Sequence, residues 1–316
     1  MNSKPVLLVL APISQDYLVP LQQWYTIVHL GQLGDMDRFL AEDGPFVTAL
    51  LTNGIVGVPG HLKDRLPSLG IVACNGVGYD GIDLQWAKNR NITVTNTPEV
   101  LSGDVADLAM ALMLAVFRNI PRADAFVREG AWLNGKLPLA RRLWGSKVGI
   151  LGLGRIGNLI AQRCYAFDMA IGYYARNQRP DSPHRYFSVL TELAQWCDVL
   201  VVATPGGHAT ASLVSAPVLE ALGSGGVLIN IARGSVVDEQ ALIHALETGQ
   251  TGGAGLDVFA HEPHVPETLL NLPNVVLTPH IASATVQTRA AMASLVVDNL
   301  IAYAEKKPLL TAVSVD

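Results

Sequence analysis

The chain has 316 residues, 50% of them hydrophobic and 16% charged, with a formal charge of −5. That balance offers no basic patch for nucleic acid, and it supplies apolar material for two buried cores at a length that exceeds what one core usually supports. Three scattered cysteines, Cys74, Cys164 and Cys197, exclude a disulfide framework and point to reduced core thiols in a cytoplasmic protein. The opening Met1-Asn2-Ser3-Lys4-Pro5-Val6 lacks the basic and apolar regions of a secretory leader, and none is expected. The longest apolar helical run, 105–117, contains Asp107 and is too short for a bilayer, so no membrane association is expected.

Apolar runs at 6–10, 25–30, 47–51, 71–74 and 92–95 read as a first series of strands that ends at Thr97-Pro98. A long apolar helix over 100–117 opens a second series, with strands at 148–151, 169–174, 199–203, 227–231, 253–257 and 275–277. A last amphipathic helix, 287–304, follows Pro279-His280 and is expected to cross back to the first domain. Alternating strands and helices predict parallel sheets covered on both faces. The expected architecture is α/β, with two doubly wound parallel-sheet domains, 1–98 with 288–316 and 99–287, and a cleft between them.

Between the strands at 148–151 and 169–174 stands Gly152-Leu153-Gly154-Arg155-Ile156-Gly157, followed by a helical stretch. Strand, G-x-G-x-x-G, helix, strand is the fingerprint of a Rossmann-type dinucleotide site. The first glycine permits the tight turn, the second lets the backbone approach a pyrophosphate, and the third allows close helix–strand packing. The phosphates then meet the N-terminus of a helix, where unpaired N–H groups and the dipole favour negative charge. NAD-specific folds place an acidic residue at the end of the second strand to accept ribose hydroxyls. Here that place is Ala175, followed by Arg176, Asn177 and Arg179. A carboxylate would repel a 2′-phosphate and guanidinium groups bind it, so the expected cofactor is NADP(H), preferred over NAD(H).

Three residues at strand ends could supply chemistry: Arg233 after the strand 227–231, Glu262 beyond the strand that ends at Asp257, and His280 after the strand 275–277. Ligands of such sheets bind at those ends. Reducing a 2-keto acid needs a fixed cation, a proton donor near neutral pH, and a carboxylate that keeps the donor charged. Ser235 is expected to cap a helix just after Arg233. His261, Glu262 and His264 do not make a metal site, because the zinc-protease pattern needs histidines four apart on a helix and Pro263 breaks one.

The segments Asn75-Gly76-Val77-Gly78-Tyr79-Asp80-Gly81-Ile82-Asp83, Asn96-Thr97-Pro98, Gly152 to Gly157, Ala232-Arg233-Gly234, Gly255-Leu256-Asp257-Val258-Phe259, Glu262-Pro263 and Pro279-His280 span nearly the whole chain. In them the chain resembles the D-isomer-specific 2-hydroxyacid dehydrogenases, and among these the NADPH-dependent glyoxylate/hydroxypyruvate reductases. The resemblance implies that Arg233, Glu262 and His280 are catalytic and that the first domain is flavodoxin-like and binds substrate. It implies that Gly76, Val77 and Gly78, with Arg233 and His280, hold the substrate. On the cofactor side it implies Val105, Thr204, Pro205, Ile231, Ala232, Asp257 and Ser283, of which Asp257 and Ser283 lie at the nicotinamide end. It also implies a two-fold homodimer built through residues 100–145, where the all-round apolar helix and Trp132 and Trp144 supply surface. Two departures stand out: Ala175 where NAD-using members carry Asp, and Asp168 where Gly is usual.

The activity expected is NADPH-dependent reduction of small 2-keto acids, glyoxylate to glycolate and hydroxypyruvate to D-glycerate. The alternatives are a D-lactate-type or other D-2-hydroxyacid dehydrogenase and a dinucleotide-sensing corepressor or scaffold of the same fold. A formate dehydrogenase is disfavoured, because the formate enzymes of the family carry Gln where Glu262 stands.

Overall fold

A computed structural model describes residues 4–314, which divide into two compact units: the chain up to Leu101 together with the chain from Thr285 on, and Ser102–Ala284. The first unit holds β1 (Val6–Val9), β2 (Thr26–His29), β3 (Val47–Thr52), β4 (Ile71–Cys74) and β5 (Thr93–Thr95), in the order β2-β1-β3-β4-β5. Every pairing is parallel. Parallel strands need both faces covered, and the sequence meets that demand residue by residue. Val6 and Leu8 pack in one apolar cluster with Leu50 and Val72. Leu7 and Val9 pack in the opposite one with Ala49, Leu51, Ile71 and Ala73, onto which the closing helix Val286–Ala304 lays Val296, Val297 and Leu300.

The second unit holds β6 (Lys147–Leu151), β7 (Ala170–Tyr174), β8 (Arg185–Phe187), β9 (Val199–Val202), β10 (Val227–Asn230), β11 (Gly253–Leu256) and β12 (Val275–Leu277). The order is β12-β11-β10-β9-β6-β7-β8, again all parallel. From β6 the chain runs outward through β7 and β8, then returns to β9 on the other side. That reversal is a topological switch point, where the loops leaving adjacent strands diverge and open a crevice at their carboxyl ends.

The long helix is Ser102–Arg118, and its apolar faces are satisfied inside the second unit: Val105, Ala106, Ala109, Met110, Leu112, Met113 and Phe117 are buried. It sits so close to the sheet that a Cβ on Gly253 or Gly255 would meet Val116 at 3.1 Å or Leu112 at 3.0 Å. Of the apolar surface expected over 100–145, the exposed part lies after the helix, where Ile120, Val127, Trp132, Leu133, Leu139 and Trp144 are exposed. Cys74, Cys164 and Cys197 are buried and form no disulfide, and burial pushes the thiols of Cys164 and Cys197 up to about 12. Among the described residues no helix is long and apolar enough to cross a membrane.

Candidate active site

The glycine loop leaves β6 at the switch point, and each glycine meets a different physical need. Gly152 has φ +99°, and a Cβ there would stand 2.9 Å from the carbonyl oxygen of Ala203. A Cβ on Gly157 would fall 2.1 Å from the carbonyl oxygen of Gly152, so the helix Arg155–Tyr165 could not pack as it does. Gly154 is the opposite case: a Cβ there would meet nothing within 4 Å, because the space before the helix is open. First-turn N–H groups have no acceptor inside their own helix, so an open cradle before such a turn fits a pyrophosphate. Leu153 is buried and Ile156 half-buried behind the loop, while Arg155 is exposed.

Beyond β7 come Ala175, Arg176, Asn177 and Arg179, the last three exposed. The backbone N–H of Arg179 donates to the hydroxyl of Tyr173 at 2.8 Å, which ties this loop to the buried end of the strand. Thr204 and Pro205 follow β9, Ile231 and Ala232 follow β10, and Ser283 lies in the loop after β12. These loops leave one edge of one parallel sheet. Val105 is buried in the helix Ser102–Arg118. Asp168 takes φ +54°, the left-handed turn where glycine is usual, and its carboxylate accepts from Trp144 Nε1 at 2.6 Å. Asp tolerates that conformation better than most residues.

Arg233, Glu262 and His280 belong to the same edge. Nδ1 of His280 lies 2.7 Å from Glu262 Oε2, and the N–H of Phe259 donates to Glu262 Oε1 at 3.0 Å. Burial alone would raise the Glu262 pKa, but the hydrogen bonds from His280 and Phe259 and the charges of His280 and Arg233 outweigh it. The carboxyl is therefore held below its ordinary range. An ionised carboxylate only accepts, so Nδ1 carries the hydrogen and Nε2 is left for another partner.

His280 itself has φ +52°. A histidine there needs outside support. The support is Asp257, which is fully buried. Its carbonyl accepts the His280 N–H at 2.9 Å. Its carboxylate accepts from Thr278 Oγ1 at 2.6 Å and from the N–H groups of Ile281 at 2.8 Å and Ala282 at 2.9 Å. Asp257 thus fastens the loop on which the imidazole stands.

Nη1 of Arg233 donates to the Ala232 carbonyl at 2.7 Å. Ser235 does not cap a helix. It is exposed in the short 3-10 turn Gly234–Val236, and the cap of the following helix, Glu239–Glu247, is Asp238, whose side chain accepts from the Ala241 N–H. An Asp immediately before a helical stretch carries that signal in the sequence. Sequence reasoning also misses Asn230, Glu239 and Thr278, each of which hydrogen-bonds a loop of this edge.

In the first unit, Gly76, Val77 and Gly78 follow β4. Asn96 Nδ2 donates to the Val77 carbonyl at 2.9 Å and the Thr97 N–H to that of Gly76 at 2.9 Å, so the Asn96-Thr97-Pro98 segment braces the loop. Among the described residues the N–H groups of Val77 and Gly78 have no protein partner, and successive free amides of this kind make a seat for an anion.

The family described as D-isomer specific 2-hydroxyacid dehydrogenase, NAD binding domain, matches residues 110–282. A 2-ketogluconate reductase of Gluconobacter oxydans is 46% identical over 313 residues, 99% of this chain and 100% of its own. A glyoxylate/hydroxypyruvate reductase of Arabidopsis thaliana is 46% identical over 306 residues, 97% of this chain and 98% of its own. The crystal structure of an NADPH-dependent glyoxylate/hydroxypyruvate reductase from Sinorhizobium meliloti, in complex with NADP and malonate, superimposes with a TM-score of 0.92. It is 45% identical and the match covers 99% of this chain and 97% of that one.

Proposed function

Because the chain belongs to the D-isomer specific 2-hydroxyacid dehydrogenase family, we propose that this oxidoreductase uses NADPH to reduce glyoxylate to glycolate and hydroxypyruvate to D-glycerate. The observation that carries the reading is the 2.7 Å contact of His280 with Glu262, at the sheet edge that also bears Arg233 and the glycine loop. In this reading Arg233 binds the substrate carboxylate, and the amides of Val77 and Gly78 make an anion seat on the first unit. The guanidinium polarises the C2 carbonyl, and His280 passes a proton from Nε2 to the oxygen as it becomes an alkoxide. Glu262 holds the imidazole by Nδ1 and stabilises its charged form. When bound, the reduced nicotinamide supplies the hydride that C2 receives. Buried cysteines that form no disulfide agree with work in the cytoplasm.

A spectrophotometric panel of glyoxylate, hydroxypyruvate, pyruvate, phenylpyruvate and 2-ketogluconate, each with NADPH and NADH, tests the activity. The Gluconobacter relative makes 2-ketogluconate the specific second reading. Ordinary turnover of none of these would favour a dinucleotide-sensing protein of the same fold.

For the cofactor, exposed Arg176 and Arg179 beside Ala175 support NADPH, as does the NADP held by the Sinorhizobium relative. Losing a charge-assisted contact to phosphate costs roughly 1.5 to 3 kcal/mol. NADPH should therefore be preferred by at least about tenfold in kcat/KM. Arg176→Ala should erode that preference mainly through KM for NADPH, and equal use of both cofactors by the unmodified enzyme would sink the assignment.

We read residues 100–145 as the interface of a two-fold homodimer. Leu133 and Leu139 are 89% and 100% exposed, and Trp132 and Trp144 lie uncovered in the same segment. Apolar groups of this size rarely stay in water. Light scattering should give twice the 33.7 kDa chain mass at micromolar concentration, and a monomer mass would refute the interface.

A further inference from the structure

The turn that presents Arg233 is bracketed by one side chain. Asn230, the last residue of β10, is 1% exposed. Its Nδ2 donates to the Arg233 carbonyl at 2.9 Å, and its Oδ1 accepts from the Ala232 N–H at 3.1 Å. The amide therefore grips the chain on both sides of the peptide that joins Ala232 to Arg233. The carbonyl of that peptide is the one to which Arg233 Nη1 donates at 2.7 Å. Opposite this grip there is no slack, since a Cβ on Gly234 would strike the Phe259 backbone at 2.0 Å.

Only an amide of this length does both tasks. Asp keeps the acceptor but loses the donor, and Ser is too short to span the turn. A purely structural account, in which Asn230 merely satisfies buried backbone groups, predicts a loss of stability and nothing particular to Arg233. The hydrogen bonds say more, because every one of them ends on Ala232 or Arg233.

We propose that Asn230 is a positioning residue for keto-acid reduction: it sets the direction of the Arg233 guanidinium, and through it the grip on the substrate's carboxylate and carbonyl. The inference rests on the role of Arg233 proposed above.

The test is a double-mutant cycle on the binding of oxamate, a keto-acid isostere, to the NADPH-loaded protein. Asn230→Ala should weaken oxamate about tenfold and lower kcat/KM for glyoxylate about a hundredfold, as a misdirected group does. Its Kd for NADPH should change less than its oxamate affinity, since the glycine loop and the arginines beyond β7 stand on other strands. In an Arg233→Ala background, adding Asn230→Ala should change oxamate affinity by less than about twofold, because the residue acts through a guanidinium already gone. An equal loss in both backgrounds would overturn the inference and leave the Arg233 role standing. Unchanged oxamate binding by Arg233→Ala alone would overturn that role, and this inference with it. Should Asn230→Ala not fold, Asn230→Asp keeps shape and acceptor, and native oxamate affinity in that variant would overturn the inference equally.

Discussion

His280→Ala is expected to lower kcat/KM for glyoxylate by about 10² to 10⁴-fold, the range of a positioned general acid. NADPH binding, read by fluorescence titration, should stay within about twofold, because the substitution leaves the glycine loop and the arginines beyond β7 untouched. Glu262→Gln separates the charge from the hydrogen bond. Glu262 is held below the ordinary carboxylate range. The stability it contributes is thus present above the pKa of an unfolded glutamate and is lost as pH falls through the lowered value. Across neutral pH it keeps its charge beside the proton donor. Glutamine removes that charge while keeping the size and one of the two hydrogen bonds that the carboxylate accepts. Reduction of glyoxylate at neutral pH should then slow about tenfold, the loss of a charge-assisted contact. Oxidation of the hydroxy acid, in which the imidazole takes up a proton, is the reverse reading on the same variant. An unchanged reduction rate would mean that Glu262 does not serve His280.

What the sequence reveals and what it hides divide along the range of the interactions. Strands such as Val199–Val202 and Val227–Asn230 are buried on both faces and read directly as apolar runs, the second closed by Asn230. Arg185–Phe187 escapes notice because it is three residues long at the sheet's outer edge, paired only with β7, and opens on a charge. Arg233, Glu262 and His280 are legible because each follows a strand and the carboxyl ends of parallel strands share an edge. The all-round apolar helix Ser102–Arg118 cannot be read alone: the same pattern serves a subunit interface or a tight seat on the sheet. Gly253 and Gly255, more than a hundred residues away, provide the seat. Ser235 and Asp238 are both ordinary caps by composition, and only the backbone chooses Asp238. Asn230 and Asp257 are polar residues at strand ends, and nothing local shows that their side chains fasten neighbouring turns.

Gly234→Ala should be among the most damaging single methyls in the second unit. Gly234 lies outside the left-handed region, so its need is for space. A Cβ there would sit 2.0 Å from the Phe259 carbonyl carbon and oxygen and 2.4 Å from the Ala260 nitrogen. All three are backbone atoms, which cannot swing aside as the end of a long side chain would. The methyl must therefore push apart two turns. One carries Arg233. The other includes the Phe259 N–H, which donates to Glu262, and the Ala260 N–H, which donates to Glu239 Oε2 at 3.0 Å. Overpacking of this kind costs about 1 to 3 kcal/mol of stability. The larger loss should be in rate, since a displacement of about 1 Å between groups acting on one substrate lowers turnover about a hundredfold. Expected for Gly234→Ala are a lower midpoint of thermal unfolding, kcat/KM for glyoxylate down about a hundredfold, and a much smaller loss of NADPH affinity, because the glycine loop stands on another strand. Gly60→Ala is the control, a glycine with open space around it and ordinary backbone angles, and it should leave both rate and stability near the unmodified values. A Gly234→Ala enzyme with native kcat/KM would show that the spacing of these two turns does not govern the chemistry.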